Sequence, residues 1–316
     1  MFFWRIISAI ATFGMLIYGV FAGTNFNDYT SNYKKNVEAA AYENDFDSAI
    51  PQTEIYKMID SHLKSGGTKE KKVIVIGYDG CRADVVSLYK NSEKSAIKAL
   101  LADGGHLKLS YCGGVNYPVI NKQKTSTAPG WCSMLTGKWA AETGITDNSI
   151  VKSNDYLTLL TTEVESKTID SSAFYVSWNG HFVDEDSTYY LEKKYAEDKN
   201  LDVVMLDADN DAGTYANVKA DIMGTECSDF IFSIFEYCDH YGHDTGFCIN
   251  NPDQVKGFAE QESDAVDIIN AIKARENYAN EDWLIILTSD HGGYNTGHGG
   301  PTMQERYTFI CTNKDF

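Results

Sequence analysis

Four short clusters in the sequence carry side chains suited to metal-assisted chemistry. They are Tyr78-Asp79-Gly80, Asp239-His240-Tyr241-Gly242-His243, Ser289-Asp290-His291-Gly292 and Gly297-His298-Gly299-Gly300. Mixed carboxylate and imidazole donors suit zinc, and an open coordination position leaves room for substrate. Two such ions about 4 Å apart compensate charge on both the attacking and the leaving oxygen of an in-line displacement at phosphorus. A fifth segment, Thr125-Ser126-Thr127-Ala128-Pro129-Gly130-Trp131, supplies a candidate nucleophile. Pro129 near the first position of a helix places Thr127 at its N-terminal end, where free N–H groups and the helix dipole favour a phosphoryl oxygen or an alkoxide. Taken singly, each segment has a plainer reading: a turn, a polar loop, a flexible glycine loop, a helix cap. Their joint occurrence in one chain, in order and at or near strand ends, is what points to a site.

The elements that must hold these residues are short apolar runs. Val73-Ile74-Val75-Ile76-Gly77 is β-branched and precedes Asp79 directly, as a strand buried in a parallel sheet would. Ala173 to Val176, Val203 to Leu206, Phe230 to Phe235 and Trp283 to Leu287 read the same way, with Tyr307 to Cys311 as a last strand. The clearest helix is Asn251 to Arg275: Asn251 suits the N-cap, Pro252 the first turn, and Gln254 completes a capping box. Strands alternating with helices predict an α/β sandwich around a largely parallel sheet, and ligands in such sheets gather at the carboxyl ends of the strands. The polar stretch from Thr143 to Asn200 is expected to contribute loops over the site.

At this point the ordered motifs resemble the alkaline phosphatase superfamily, and most closely its nucleotide pyrophosphatase/phosphodiesterase (type I phosphodiesterase) branch, over Lys71 to Phe316. The resemblance implies an alkaline-phosphatase-like three-layer α/β/α sandwich and two divalent metal ions, zinc first and manganese as the alternative. It implies Asp79, Thr127, Asp290 and His291 around one ion, and Asp239, His243 and His298 around the other. Thr127 is the implied catalytic nucleophile, passing through a phospho-threonine intermediate, and the substrate is a small phosphate ester. Two departures bear on substrate. Gly130 stands where relatives often carry asparagine, which predicts a roomier, less polar phosphoryl pocket. His298 follows His291 closely, as in the phosphoethanolamine transferases of the same superfamily. Asn148 matches a common family motif without an assigned contact. Alternatives are phosphomonoesterase, phosphonate hydrolase or phosphoethanolamine transferase chemistry, or a non-catalytic surface protein that retained the fold. A sulfatase fits poorly, because neither Thr127 nor Cys132 has the sequence context of a sulfatase nucleophile.

Composition and charge narrow the partners. The 316 residues, 43% hydrophobic and 13% aromatic, suffice for one large catalytic domain. With 27 Lys+Arg against 45 Asp+Glu, the net charge of -18 argues against a nucleic-acid polymer as partner. A bound pair of divalent cations would reverse that field locally for a small anion. Residues 1–22 read as a signal peptide or membrane anchor, since Ile6 to Ala22 is largely apolar and Arg5 is the one charge before it. The domain is therefore expected outside the cytoplasm, secreted or tied to the membrane if the segment is uncleaved. Residues 23–70 read as a tether and entry helix, with helical patterning at Glu38 to Ala41 and Glu54 to Leu63, and 71–316 as the catalytic domain. Of seven cysteines most read as small buried apolar residues, with Cys227, Cys238 and Cys248 the nearest candidates for a bridge.

Overall fold

The computed structural model describes residues 49–113, 123–300 and 302–315. The apolar run Ile6 to Ala22 and the helical patch Glu38 to Ala41 lie outside the described residues. No helix among the described residues is long and apolar enough to cross a membrane.

Among the described residues eight strands form one sheet: β1 Ile50–Pro51, β2 Glu70–Tyr78, β3 His106–Tyr111, β4 Ser172–Val176, β5 Val203–Asp207, β6 Phe230–Phe235, β7 Glu281–Thr288 and β8 Tyr307–Thr312. The helices that position the site or pack beneath it are α1 Glu54–Leu63, α2 Ala83–Tyr89, α3 Ala96–Ala102, α4 Thr127–Thr136, α5 Leu159–Glu165, α6 Asp211–Met223, α7 Tyr237–Thr245 and α8 Pro252–Lys273. The strand order is β1-β3-β8-β7-β2-β6-β4-β5. Only β8 runs against its neighbours; every other pairing is parallel. The apolar runs of the sequence thus become strands, and the sheet is largely parallel as expected.

Alternation along β2 divides the core into two layers. Val73 and Val75 face one apolar cluster with Ile55 and Ile59 of α1, Trp131 and Leu135 of α4, and Leu160 of α5. Ile74, Ile76 and Tyr78 face the other, with Val85 of α2, Ile97 of α3, Val218 of α6 and Phe258 and Ile269 of α8. Helices therefore cover both faces, which completes the three layers. Burying each such aliphatic or aromatic side chain contributes roughly 1.5–3 kcal/mol. One carboxylate lies within this packing: Glu262 of α8 accepts from Tyr78 Oη at 2.6 Å and Ser95 Oγ at 2.5 Å, tying α8 to β2 and to the cap of α3.

Several expectations are corrected. The entry helix expected at Glu54 to Leu63 is present with those bounds as α1, its Ile55, Ile59 and Leu63 buried, whereas β1 just before it, paired with β3, was not expected. β3 went unrecognised because it is half-buried, with Lys108 exposed between Leu107 and Leu109. Asn251 does cap α8, accepting from Asp253 N at 3.1 Å, but no capping box forms. Gln254 is buried and donates instead to Cys238 O at 3.1 Å. The stretch from Thr143 to Asn200 carries α5 and β4 as well as loops, and is pinned by a fully buried ion pair between Lys152 and Glu192 at 2.7 Å.

Candidate metal centre

β7, β2 and β6 are adjacent and parallel, so their carboxyl ends lie side by side. Gly77 is level with Thr288, and Tyr78 with Phe235. Asp79, Asp290 and His291 therefore leave the sheet at one height. After β6 the chain enters α7, where Asp239 and His243 are four residues apart and share a face. α4 begins at Thr127 itself, with Ser126 at the N-cap and Pro129 in the first turn, where its missing N–H costs nothing.

The structure draws the seven sequence-predicted residues together. Asp79, Asp290 and His291 form one triad, all buried, and Asp239, His243 and His298 a second; within each, one donor atom per residue lies within 4.8 Å of the others. His291 Nε2 is 3.4 Å from Asp79 Oδ1 and 3.3 Å from Asp290 Oδ2. His243 Nε2 is 3.2 Å from Asp239 Oδ2, and His298 Nε2 3.8 Å from Asp239 Oδ1. The rings of His291 and His298 stack at 4.1 Å, so the triads adjoin. Thr127 Oγ1 stands 3.5 Å from His291 Nε2, facing the first triad instead of serving as a simple cap.

All three imidazoles are oriented in the same way. Nδ1 of His291 meets Gly292 O at 2.7 Å, Nδ1 of His243 meets Thr296 O at 2.9 Å, and Nδ1 of His298 meets Thr125 O at 3.1 Å. A carbonyl takes only a donor, so each Nδ1 carries a proton and each ring turns its Nε2 toward the carboxylates. The carboxylates are likewise half-used. Asp79 Oδ2 accepts from Trp131 Nε1 at 2.9 Å and Asp290 Oδ1 from Gly80 N at 3.2 Å. Asp79 Oδ1, Asp290 Oδ2 and Asp239 Oδ1 are buried without a hydrogen-bond partner. Lone pairs facing lone pairs in a buried space are costly unless a cation lies between them. The donor set therefore fits divalent ions.

The electrostatics carry the same message. Burial, reinforced by the charge of Asp239, pushes the Asp79 carboxyl well above the ordinary carboxylate range. Burial and the neighbouring Asp79 and Asp239 do the same to Asp290. Burial drives His291 down to about 3. His243 moves the other way, to about 9, because it hydrogen-bonds Asp239. Burial works to raise Asp239, but that hydrogen bond and the surrounding imidazoles bring it below its usual value.

Two supporting residues had no contact assigned from the sequence. Trp131, one turn into α4, fixes Asp79 through its indole N–H. Asn148, matched to a motif but without an assigned contact, accepts from Ala128 N at 2.9 Å and so holds its carboxamide beside the start of α4. Trp178-Asn179-Gly180-His181 packs: His181 is buried, 5.2 Å from the Trp178 ring in an edge contact. The expectation for Gly130 is corrected. A Cβ there would lie 2.7 Å from Asp290 Cβ and 2.8 Å from Asp290 O, so the missing side chain makes room for the Asp290 loop and leaves no added pocket. Gly130→Ala is accordingly expected to push α4 away from Asp290, lowering stability by about 1–3 kcal/mol and reducing metal content. Thermal unfolding with metal analysis checks this; an unchanged midpoint and full occupancy would contradict the steric reading.

Comparison with known proteins agrees with this geometry. A family model described as type I phosphodiesterase / nucleotide pyrophosphatase matches residues 73–299, a span that includes all seven residues of the two triads and the threonine. No curated protein matches the sequence. Among solved structures, a 2-O GAG sulfatase superposes with a TM-score of 0.51 at 12% identity, covering 77% of this chain and 64% of that one. The alkaline phosphatase of the Antarctic bacterium TAB5 gives 0.48 at 13% identity, covering 77% and 91%. Murine ectonucleotide pyrophosphatase / phosphodiesterase 5, in complex with AMP, gives 0.44 at 18% identity, and the match spans 71% of this chain and 57% of that one. At such identities the likeness is one of fold, and the fold is the alkaline-phosphatase-like sandwich. With its family match running from the first residues of β2 to the glycine after His298, the chain belongs to the type I phosphodiesterase / nucleotide pyrophosphatase family.

Proposed function

We propose that the protein hydrolyses small phosphate esters, diesters or pyrophosphates by preference, with Thr127 as nucleophile and two divalent metal ions held by the two triads. The observation that carries the reading is the set of three unpartnered carboxylate oxygens and three inward-facing Nε2 atoms beside the Thr127 hydroxyl. Zinc is the ion this donor set suits best, and when bound such ions supply Lewis-acid polarisation and positive charge against developing oxyanions. The residues of the chain do the rest. Asp79 and Asp290, clamped by Trp131 and Gly80, keep their free oxygens aimed inward. The carbonyls behind the three imidazoles hold Nδ1–H and so keep each Nε2 aimed at the carboxylates. Thr127 Oγ1 forms a bond to phosphorus as the bond to the leaving oxygen breaks, and the hydroxyl proton goes to the leaving group, giving a phospho-threonine. Water then attacks the phosphorus, the bond from phosphorus to Thr127 Oγ1 breaks, and a proton from that water passes to Thr127 Oγ1. Asn148, anchored through its oxygen on Ala128 N, has its amide N–H groups left to meet a phosphoryl oxygen carried on Thr127.

The test is a hydrolysis screen of zinc-loaded protein against aryl phosphodiesters, aryl phosphomonoesters and aryl sulfates. Diesters are expected to be turned over at least about tenfold faster than monoesters, a difference of about 1.4 kcal/mol in barrier. Faster monoester hydrolysis would move the protein to a phosphomonoesterase, and dominant sulfate hydrolysis would reject the proposal. We further propose that the domain acts outside the cytoplasm, on the apolar run Ile6 to Ala22. Protease added to intact cells should then digest it; a domain protected until lysis would contradict export.

A further inference from the structure

Cys81 and Cys238 sit in the two turns that carry Asp79 and Asp239, and the proposed reaction uses neither. β2 and β6 end level, Tyr78 opposite Phe235, and the ladder runs one bond further, with Asp79 N donating to Phe235 O at 2.9 Å. Beyond it the backbones close in until a Cβ on Gly80 would lie 2.9 Å from Asp239 Cα, which is why that position is glycine at φ +65°. Cys81 and Cys238 are the neighbours of this contact. Their side chains are free thiols in one apolar cluster, at 0% and 1% exposure, and Cys238 adds to the upward push that burial gives the Cys81 thiol. A disulfide needs Cα atoms about 4.4–6.8 Å apart, and backbones in contact one residue away from each cysteine suit that reach. The bridge considered between Cys227 and Cys238 is excluded, because all of β6 separates them, roughly 20 Å of extended chain.

We propose that Cys81 and Cys238 form an oxidation site, closing to a disulfide that staples the turn bearing Asp79 to the helix bearing Asp239. The oxidant is a disulfide, either glutathione disulfide or a disulfide oxidoreductase. One cysteine thiolate attacks a sulfur of the oxidant, whose S–S bond breaks and releases a first thiol. The second cysteine attacks the mixed disulfide and releases the other. The two cysteines give up an electron pair and two protons, and the oxidant's two sulfurs take them. Both sulfurs are sealed in the finished fold, so the exchange belongs to the folding chain, before α7 settles against the β2 turn. The ring so closed is long, which is where a cross-link removes most freedom from the unfolded state. Cys81 N also donates to Ser289 Oγ at 3.0 Å, so the staple lies where the third ligand-bearing turn is already tied in.

Peptide mapping decides the matter. The full chain is unfolded with reductant, refolded with glutathione and glutathione disulfide, alkylated in denaturant and digested. A sample purified folded and oxidised slowly with glutathione disulfide is treated alongside. The expected result, in at least one sample, is a peptide pair joined through Cys81 and Cys238, with the other five of the seven cysteines alkylated. Seven alkylated cysteines in both samples, or a bridge from either residue to another cysteine, would overturn the proposal. The bridged protein should also unfold about 5 °C or more above the same sample after reduction; equal midpoints would overturn the stapling role. Neither readout depends on the proposed activity.

Discussion

Thr127→Ala should lose turnover of an activated phosphodiester by roughly ten-thousand-fold or more while still binding two metal ions. The hydroxyl is 3.5 Å from His291 Nε2 and opens α4, so its removal deletes the attacking oxygen without touching either triad. Six carboxylate and imidazole residues remain to hold the ions, and a hydroxyl adds little beside them. Alanine also suits the first turn of a helix, so the fold should persist. Parallel measurement of zinc content and single-turnover hydrolysis separates the outcomes. Full occupancy with activity at background supports a phospho-threonine route. Near-normal turnover in the metal-loaded variant would sink it and favour direct attack by water. Loss of zinc together with activity would mean that Thr127 is mainly a ligand.

The residues of the two triads were legible in the sequence for a structural reason. β2, β6 and β7 are buried on both faces, so they read as unbroken apolar runs, and Asp79, Asp239, Asp290 and His291 follow them within a few residues. His298 was legible only through its glycine-rich surroundings and its place in the order of motifs. What supports these residues was less visible. The Trp131 bond to Asp79 joins positions 52 apart, and the carbonyls of Thr125 and Thr296 that orient His298 and His243 carry no side-chain signature at all. Gly130 was misjudged because a family comparison says which residue is missing but not which way its Cβ would point; here it points into Asp290. Gln254 was misjudged because local capping rules do not weigh a buried carbonyl elsewhere, and Cys238 O claimed its amide. β1 and β3 lack the apolar signal because β1 is only two residues long and β3 is half-buried, with Lys108 exposed among its residues.

Removing the metals should destabilise the protein as well as silence it, and the loss should deepen as pH rises. An ion present at 1,000 times its dissociation constant stabilises the folded state by about 4 kcal/mol. For a domain of this size each kcal/mol is worth about 2–4 °C, so chelation of two ions should lower the unfolding midpoint by roughly 15 °C or more. The pH dependence follows from Asp79 and Asp290. In the metal-free protein burial and mutual repulsion raise both carboxyls in the folded state above their unfolded value. The folded state then binds more protons than the unfolded one, so their contribution is favourable below the ordinary carboxylate value near 4 and is lost as pH rises through the raised folded values. His243, raised to about 9, acts in the same sense, its contribution complete below about 6.5 and lost as pH climbs through 9. His291, lowered to about 3, works oppositely, but its effect lies below about pH 6.5, where the unfolded chain takes up the proton. Between pH 6.5 and 9 His243 therefore governs, with the raised carboxyls acting in the same sense. The midpoint of the chelated protein should fall across that window, while the zinc-loaded protein, its protons already displaced, should change little. Binding should release protons, seen as an enthalpy that varies with the ionisation heat of the buffer. A gap between loaded and chelated midpoints that stays constant from pH 6.5 to 9, with no buffer dependence, would show that these buried carboxylates and imidazoles are not where the metals bind.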